Sequence, residues 1–208
     1  MRSPPLPGIL FAPLMFDPLM DSSFLSDRFA AGLSYDRYLH SATPEQLLRW
    51  KHVFDAAHVN VAQIELIAGF VREMKILVFS GLWCGDCVEQ CPLLQRIALA
   101  NPAKIDLRFI ERPRDAELPP QVRMNAASRV PVALFLSEDM HWCATYGDRT
   151  VNRYRAVARR KLGPMCPTGL FVPDREELDS TLAHWLCEVE RVQLMLRLTP
   201  RLRQKYQD

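Results

Sequence analysis

The sequence predicts an α/β fold, a mixed sheet flanked by helices, with helical extensions at both ends. Three observations carry this. Residues 75–81 (KILVFSG) are an almost unbroken apolar run, as a buried parallel-type strand reads. A helical segment opens directly after it at a C-x-x-C pair, and residues 105–112 (IDLRFIER) then alternate apolar and polar, which completes a βαβ unit. Finally, VPVALFL and HWCATYG flank a short turn at residues 137–140 and read as an antiparallel hairpin. With 208 residues, 49% of them apolar, the chain can bury one sizeable core and still carry extensions. A net charge of +2 calls for neither a nucleic acid nor a membrane partner. No apolar run is long enough to span a bilayer.

Residues 1–40 read as a loosely ordered tail, because prolines interrupt its apolar stretch and spoil it as a targeting segment. Residues 41–74 read as a helical arm. Thr43, Pro44 and Gln46 form a capping box with proline in the first turn, and Leu47, Trp50, Phe54 and Ala57 follow at helical spacing. A second capped start at Asn60 and Gln63 precedes Ile64, Ile67 and Val71. The core is assigned to residues 75–163, with a short helix near 120–125 and a helix over 150–162 that stops at Gly163-Pro164. Residues 164–208 form a C-terminal helical extension packed on the core. After a loop with Pro164, Pro167 and Pro173, a helix over 176–198 carries the stripe Leu182, Trp185, Val189, Val192 and Leu196, and Thr199-Pro200 ends it. The basic cluster Arg197, Arg201, Arg203 and Lys205 reads as a solvated helix face, with contact to a polyanion as the alternative.

Six cysteines are present, and three of them, Cys84, Cys87 and Cys91, fall within eight positions. This is not the even spacing of a secreted disulfide scaffold, so the expected setting is a reducing cytoplasm, where a C-x-x-C pair suggests redox chemistry or metal binding. Disulfide exchange needs a thiolate, and a helix N-terminus favours one. Cys84, at the strand-to-helix junction, is therefore the expected attacking sulfur, and Cys87, one turn in, the resolving one. Gly85 is expected to keep the turn tight, and Trp83 to give an apolar shoulder. Cys-x-x-Cys-x-x-x-Cys-Pro lacks the further cysteine of a ferredoxin run, since Gly81 stands there, and a zinc site would need a fourth ligand such as His141 or Cys143. The five histidines are scattered and form no catalytic motif.

The motif WCGDC, with Pro92 five residues after Cys87 and Val130-Pro131 entering a later strand, resembles thioredoxins over residues 75–162. The resemblance implies a thioredoxin-like mixed sheet between helices, with Cys84 as nucleophile and Cys87 as resolving cysteine. It makes Pro92 the proline of the active-site helix, Pro131 a cis-proline beside the dithiol, and Gly147 a late-strand glycine at the substrate groove. Val130 would offer its backbone to an extended peptide. Local physics alone leaves Pro131 equally able to start a strand in the trans form. The implied activity is a thiol–disulfide oxidoreductase, foremost a protein-disulfide reductase, with no bound cofactor. Its partners would be a disulfide-containing protein or small-molecule disulfide and an external reductase or thiol electron donor. The alternatives are a redox-inactive interaction module of the same fold and a metal-binding C-x-x-C-x-x-x-C site.

The sequence departs from that family in places. Val78 stands where many thioredoxins have a buried aspartate, so a proton relay must use another group, such as Glu89 or water. Asp86 replaces a common proline. At ~6 Å it opposes the Cys84 thiolate by on the order of 0.7–3 kcal/mol. The helix dipole favours the thiolate by about 0.3–1 kcal/mol. The balance predicts a mildly acidified Cys84 and a couple that leans reducing. Cys91 reads as a small buried residue, with a third redox partner as the alternative. Cys143 reads as core, Cys166 and Cys187 are unassigned, and Arg129 either supports the site or is solvated.

Overall fold

A computed structural model gives the fold, and its described residues are 21–114, 116, 118–162 and 175–207. The proline-containing loop after residue 162, with Cys166 and the expected Gly163-Pro164 stop, lies outside them.

Helices α1 (Ser22–Ala31) and α2 (Tyr35–Leu39) come first. They correct the expectation of a loose tail through residue 40, because Leu25, Phe29, Tyr35 and Tyr38 are buried in the core. Tyr38 and Tyr35 pack against Trp50 and Phe109. Apolar contacts of this size order helices too short to stand alone. The two predicted capping boxes form, Thr43 with Gln46 at the start of α3 (Pro44–Ala56) and Asn60 with Gln63 at the start of α4 (Val61–Ala68). The buried faces are narrower than the sequence suggests. Trp50, Val53 and Ala57 are buried while Leu47 is 43% exposed, and after Ile67 the chain turns so that Val71 is 52% exposed.

The sheet follows. Strand β1 (Met74–Ser80) leads into α5 (Gly85–Ala100), which crosses over to β2 (Ile105–Glu111). A 3-10 turn over Pro120–Val122 precedes β3 (Val132–Ser137) and β4 (Trp142–Gly147). The strand order is β2-β1-β3-β4, with β1 and β2 parallel and the other pairings antiparallel. This is the mixed sheet expected. Every residue of β3 is buried, and Val78, opposite Phe109 and Ala133, is fully enclosed.

Helix α6 (Val151–Leu162) packs on α7 (Arg175–Leu198), and α7 and α3 both pack on α5. The whole expected stripe of α7 is buried, in the same apolar cluster as the sheet and α3. Thr199-Pro200 does not end the helical structure, since α8 (Pro200–Tyr206) starts there with Pro200 in its first turn. The expected solvated basic face is also corrected in part. Arg201 and Lys205 pair with Asp139 at the tip of the β3–β4 hairpin and fasten α8 to it. Ser137 and Arg201 hold the Asp139 carboxyl well below the usual range, against the opposing effect of burial.

Candidate active site

The dithiol sits where α5 begins. Cys84 is the N-cap residue and half-buried, and Cys87 is fully buried one turn on. Both are free thiols, close enough for Cys84 to donate to Cys87. The Cys84 side chain does not cap the helix; its Sγ lies 3.4 Å from the carbonyl oxygen of Val130. The Val130–Pro131 bond is cis, as the resemblance implied, and so is Gly147–Asp148.

That geometry overturns the expected acidification of Cys84. Its hydrogen bond to Cys87 and its burial hold the proton on and push the thiol well above the ordinary value, with Asp86 adding a smaller effect. The Cys87 backbone N–H at the helix start favours the thiolate, but these effects outweigh it. Burial likewise raises Cys87, while the backbone N–H of Gly81 donates to its sulfur at 3.4 Å.

Trp83 and Gly147 are brought to the site as well. The Trp83 indole donates to the Arg112 carbonyl at 3.2 Å, and the guanidinium groups of Arg112 and Arg114 lie 5.4 and 5.0 Å from its ring centre. Gly81 lies under that ring, where a Cβ would come within 2.8 Å of it. Gly147 has φ +151°, and a Cβ there would run into the Pro131 carbonyl oxygen and approach Val132 Cα to 3.1 Å. Gly85 does not hold a special backbone conformation. A Cβ on it would meet nothing nearer than Arg49 Nη2 at 4.0 Å, so its contribution is an open approach to Cys84. Pro92 lies buried inside α5, where it withholds the N–H that would bond the Val88 carbonyl.

Asp86 is not a bare charge beside the nucleophile. It pairs with Arg149, and with Arg153 at 3.2 Å; Arg153 also holds Glu89 and Glu177, the latter at 2.8 Å. Glu89 is thereby tied to α6 and, through Arg153 and Glu177, to α7. Arg129, partly exposed, reaches Asp148 at 3.3 Å, a scaffold contact that neither of its two readings named. Gln90 escaped the sequence reading. Fully buried, it donates to the Asp148 carbonyl at 2.9 Å and to the Asp86 carbonyl at 3.3 Å. It accepts from the Thr150 N–H and the Trp185 indole. A lone glutamine on the buried side of α5, one turn past the dithiol, was the available signal. Cys91 is fully buried against Ser80 Oγ at 3.5 Å. Among the described residues no group of three or more His, Cys, Asp or Glu is arranged to hold a metal ion.

A thioredoxin family model matches residues 32–159. The chain belongs to the thioredoxin family. The match begins well before the dithiol and takes in α2, α3 and α4, so the arm set apart from the family likeness is part of the family domain. Among solved structures, a protein of unknown function from Pseudomonas aeruginosa is 18% identical with a TM-score of 0.58; the match covers 78% of this chain and 96% of that one. An HIV epitope scaffold is 16% identical with a TM-score of 0.57 over the same shares of the two chains. At such identities these likenesses speak for the fold alone. No curated protein matches the chain. No helix among the described residues is long and apolar enough to cross a membrane.

Proposed function

We propose that this thioredoxin-family protein is a thiol–disulfide oxidoreductase, working foremost as a protein-disulfide reductase in a reducing compartment such as the cytoplasm. One observation carries the reading: a half-buried Cys84 at a helix start, beside the carbonyl that precedes a cis-proline, with a fully buried Cys87 in hydrogen-bonding reach. The Cys84 thiolate attacks one sulfur of a substrate disulfide, and the first substrate thiolate leaves. Cys87 then loses its proton and attacks Cys84 Sγ; the second substrate thiolate leaves, and a Cys84–Cys87 disulfide remains. The Gly81 N–H, aimed at Cys87 Sγ, stabilises the charge that develops there. An external thiol or reductase restores the dithiol. Trp83, Val130, Pro131 and Gly147 shape the surface on which the substrate docks.

Neither thiol is acidified, so the reduced form gains no thiolate stabilisation and the couple leans reducing. The test is a titration in thiol–disulfide buffers with alkylation trapping, reading the peptide that holds both cysteines by mass spectrometry. The expected result is a reversible two-electron transition near or below the cytosolic glutathione poise, about −220 to −320 mV. Failure of the two cysteines to pair reversibly refutes the proposal.

A further inference from the structure

We propose that the proton Cys87 gives up during resolution travels through Ser80 and Tyr38 to Glu111, which hands it to solvent. The proposal rests on the oxidoreductase reading and adds the route by which a fully enclosed thiol is deprotonated.

Cys87 and Cys91 are fully enclosed, and so are the two hydroxyl groups beyond them, Ser80 on β1 and Tyr38 on α2. Ser80 Oγ lies 3.5 Å from Cys91 Sγ, between the dithiol and Tyr38, and its hydroxyl interacts with both Cys87 and Tyr38. The Tyr38 hydroxyl donates to Glu111 Oε2, and Glu111 Oε1 accepts from the Leu82 N–H at 3.4 Å. Ser80 and Glu111 are register partners in the parallel β1–β2 pair, so the route crosses only one strand spacing. Glu111, the last residue of β2, is exposed and opens the route to water.

The surrounding groups fit this use. Cys84 and Cys91 on α5 and Ser80 on β1 face Cys87, and Asp86 reaches the dithiol only through Cys84. Tyr38, the Leu82 amide and Ser80 surround Glu111, while the next residue, Arg112, is turned over the Trp83 ring. Burial raises the Glu111 carboxyl above its ordinary range, against the hydrogen bonds from Tyr38 and Leu82, and makes it a better proton acceptor.

In the resolving step the Cys87 proton passes to the Ser80 oxygen, the Ser80 proton to the Tyr38 oxygen, and the Tyr38 proton to the Glu111 carboxylate. The electron pair left on Cys87 forms the bond to Cys84 Sγ. The bond between Cys84 and the substrate sulfur breaks, and its pair leaves with the substrate thiolate. Glu111 then releases the proton to water. Ser80 and Tyr38 each gain one proton and give one up, and their hydroxyls then rotate back to the original donor directions.

The test uses 5,5′-dithiobis(2-nitrobenzoate) on the full chain carrying Cys143→Ser, Cys166→Ser and Cys187→Ser. Attack by Cys84 releases the first nitrothiobenzoate, and resolution by Cys87 releases the second, so the two phases separate in stopped flow. Glu111→Gln keeps an oxygen for Tyr38 to donate to but cannot take its proton. It should slow the second phase about 10-fold or more at pH 6–7, approach the parent rate above pH 9 where hydroxide takes over, and leave the first phase within about twofold. Tyr38→Phe should copy the altered pH profile, and Glu111→Asp should restore it in part. A second-phase profile unchanged in Glu111→Gln, or both phases slowed alike, overturns the relay. If the parent releases no second nitrothiobenzoate at all, the oxidoreductase reading itself fails.

Discussion

Two glycines at the dithiol should respond to alanine in opposite ways. At Gly147 the backbone has φ +151°, and a Cβ would overlap the Pro131 carbonyl oxygen. A side chain in that region of backbone space costs roughly 1–3 kcal/mol, and forcing atoms into packed surroundings costs about 1–3 kcal/mol more. Gly147→Ala should therefore destabilise the fold by about 2–6 kcal/mol. Gly85 is the first residue of α5, with nothing within 4.0 Å of a Cβ except Arg49 Nη2 at that limit. Gly85→Ala should be neutral or stabilising by up to ~1 kcal/mol, because alanine has less backbone freedom to lose. Urea unfolding followed by far-ultraviolet circular dichroism reads both. With a slope of about 2 kcal/mol per molar, the middle of the usual range, the Gly147→Ala midpoint should fall by on the order of 1–3 M while the Gly85→Ala midpoint holds or rises. A Gly147→Ala stability within about 0.5 kcal/mol of the parent, or equal losses in the two variants, would refute the reasoning.

Three further outcomes follow from the same geometry. Gln90→Leu strands the Trp185 indole and the Thr150 N–H without acceptors, and should lower stability by about 2–4 kcal/mol in thermal or urea melts. Asp139 is depressed in the folded state, so its contribution is complete above the unfolded carboxyl value of about 3.9 and is lost as pH falls below it; Arg201→Ala should flatten the acid limb of the melting-temperature profile, and an unchanged limb would refute this. Iodoacetamide labelling of Cys84 should keep rising through pH 9 without a plateau, and Cys143, pushed up to about 11, should do the same. Peptide mapping of the native protein should find Cys87 and Cys91 unlabelled.

Elements with strong local signals were legible in the sequence. The β1–α5–β2 unit, both capping boxes and the buried stripe of α7 follow from periodicity and cap chemistry that act within a few residues. The ordering of α2 was not, because it depends on Tyr35 and Tyr38 meeting Phe109, over 70 residues away in the chain. The partners of Asp86 lie 63 and 67 residues on, Arg149 just before α6 and Arg153 within it, so no local pattern announces the pairing. Sequence placed Cys84 at a helix N-terminus correctly, but not the direction of its sulfur. Its hydrogen bond to Cys87 and its burial reverse the sign of the expected acidity.

The ties of Asp86 bear on engineering. Exchanging the dipeptide between the cysteines is an obvious way to retune such a couple, since those two residues look like an independent cassette. Here Asp86 is where α6 and, through Arg153 and Glu177, α7 are anchored to the start of α5. Replacing it with a neutral residue removes that anchor and leaves Arg149 to Asp148 and Arg153 to Glu89 and Glu177, so potential and stability change together. A useful exchange must be designed as a unit of Asp86, Arg149 and Arg153.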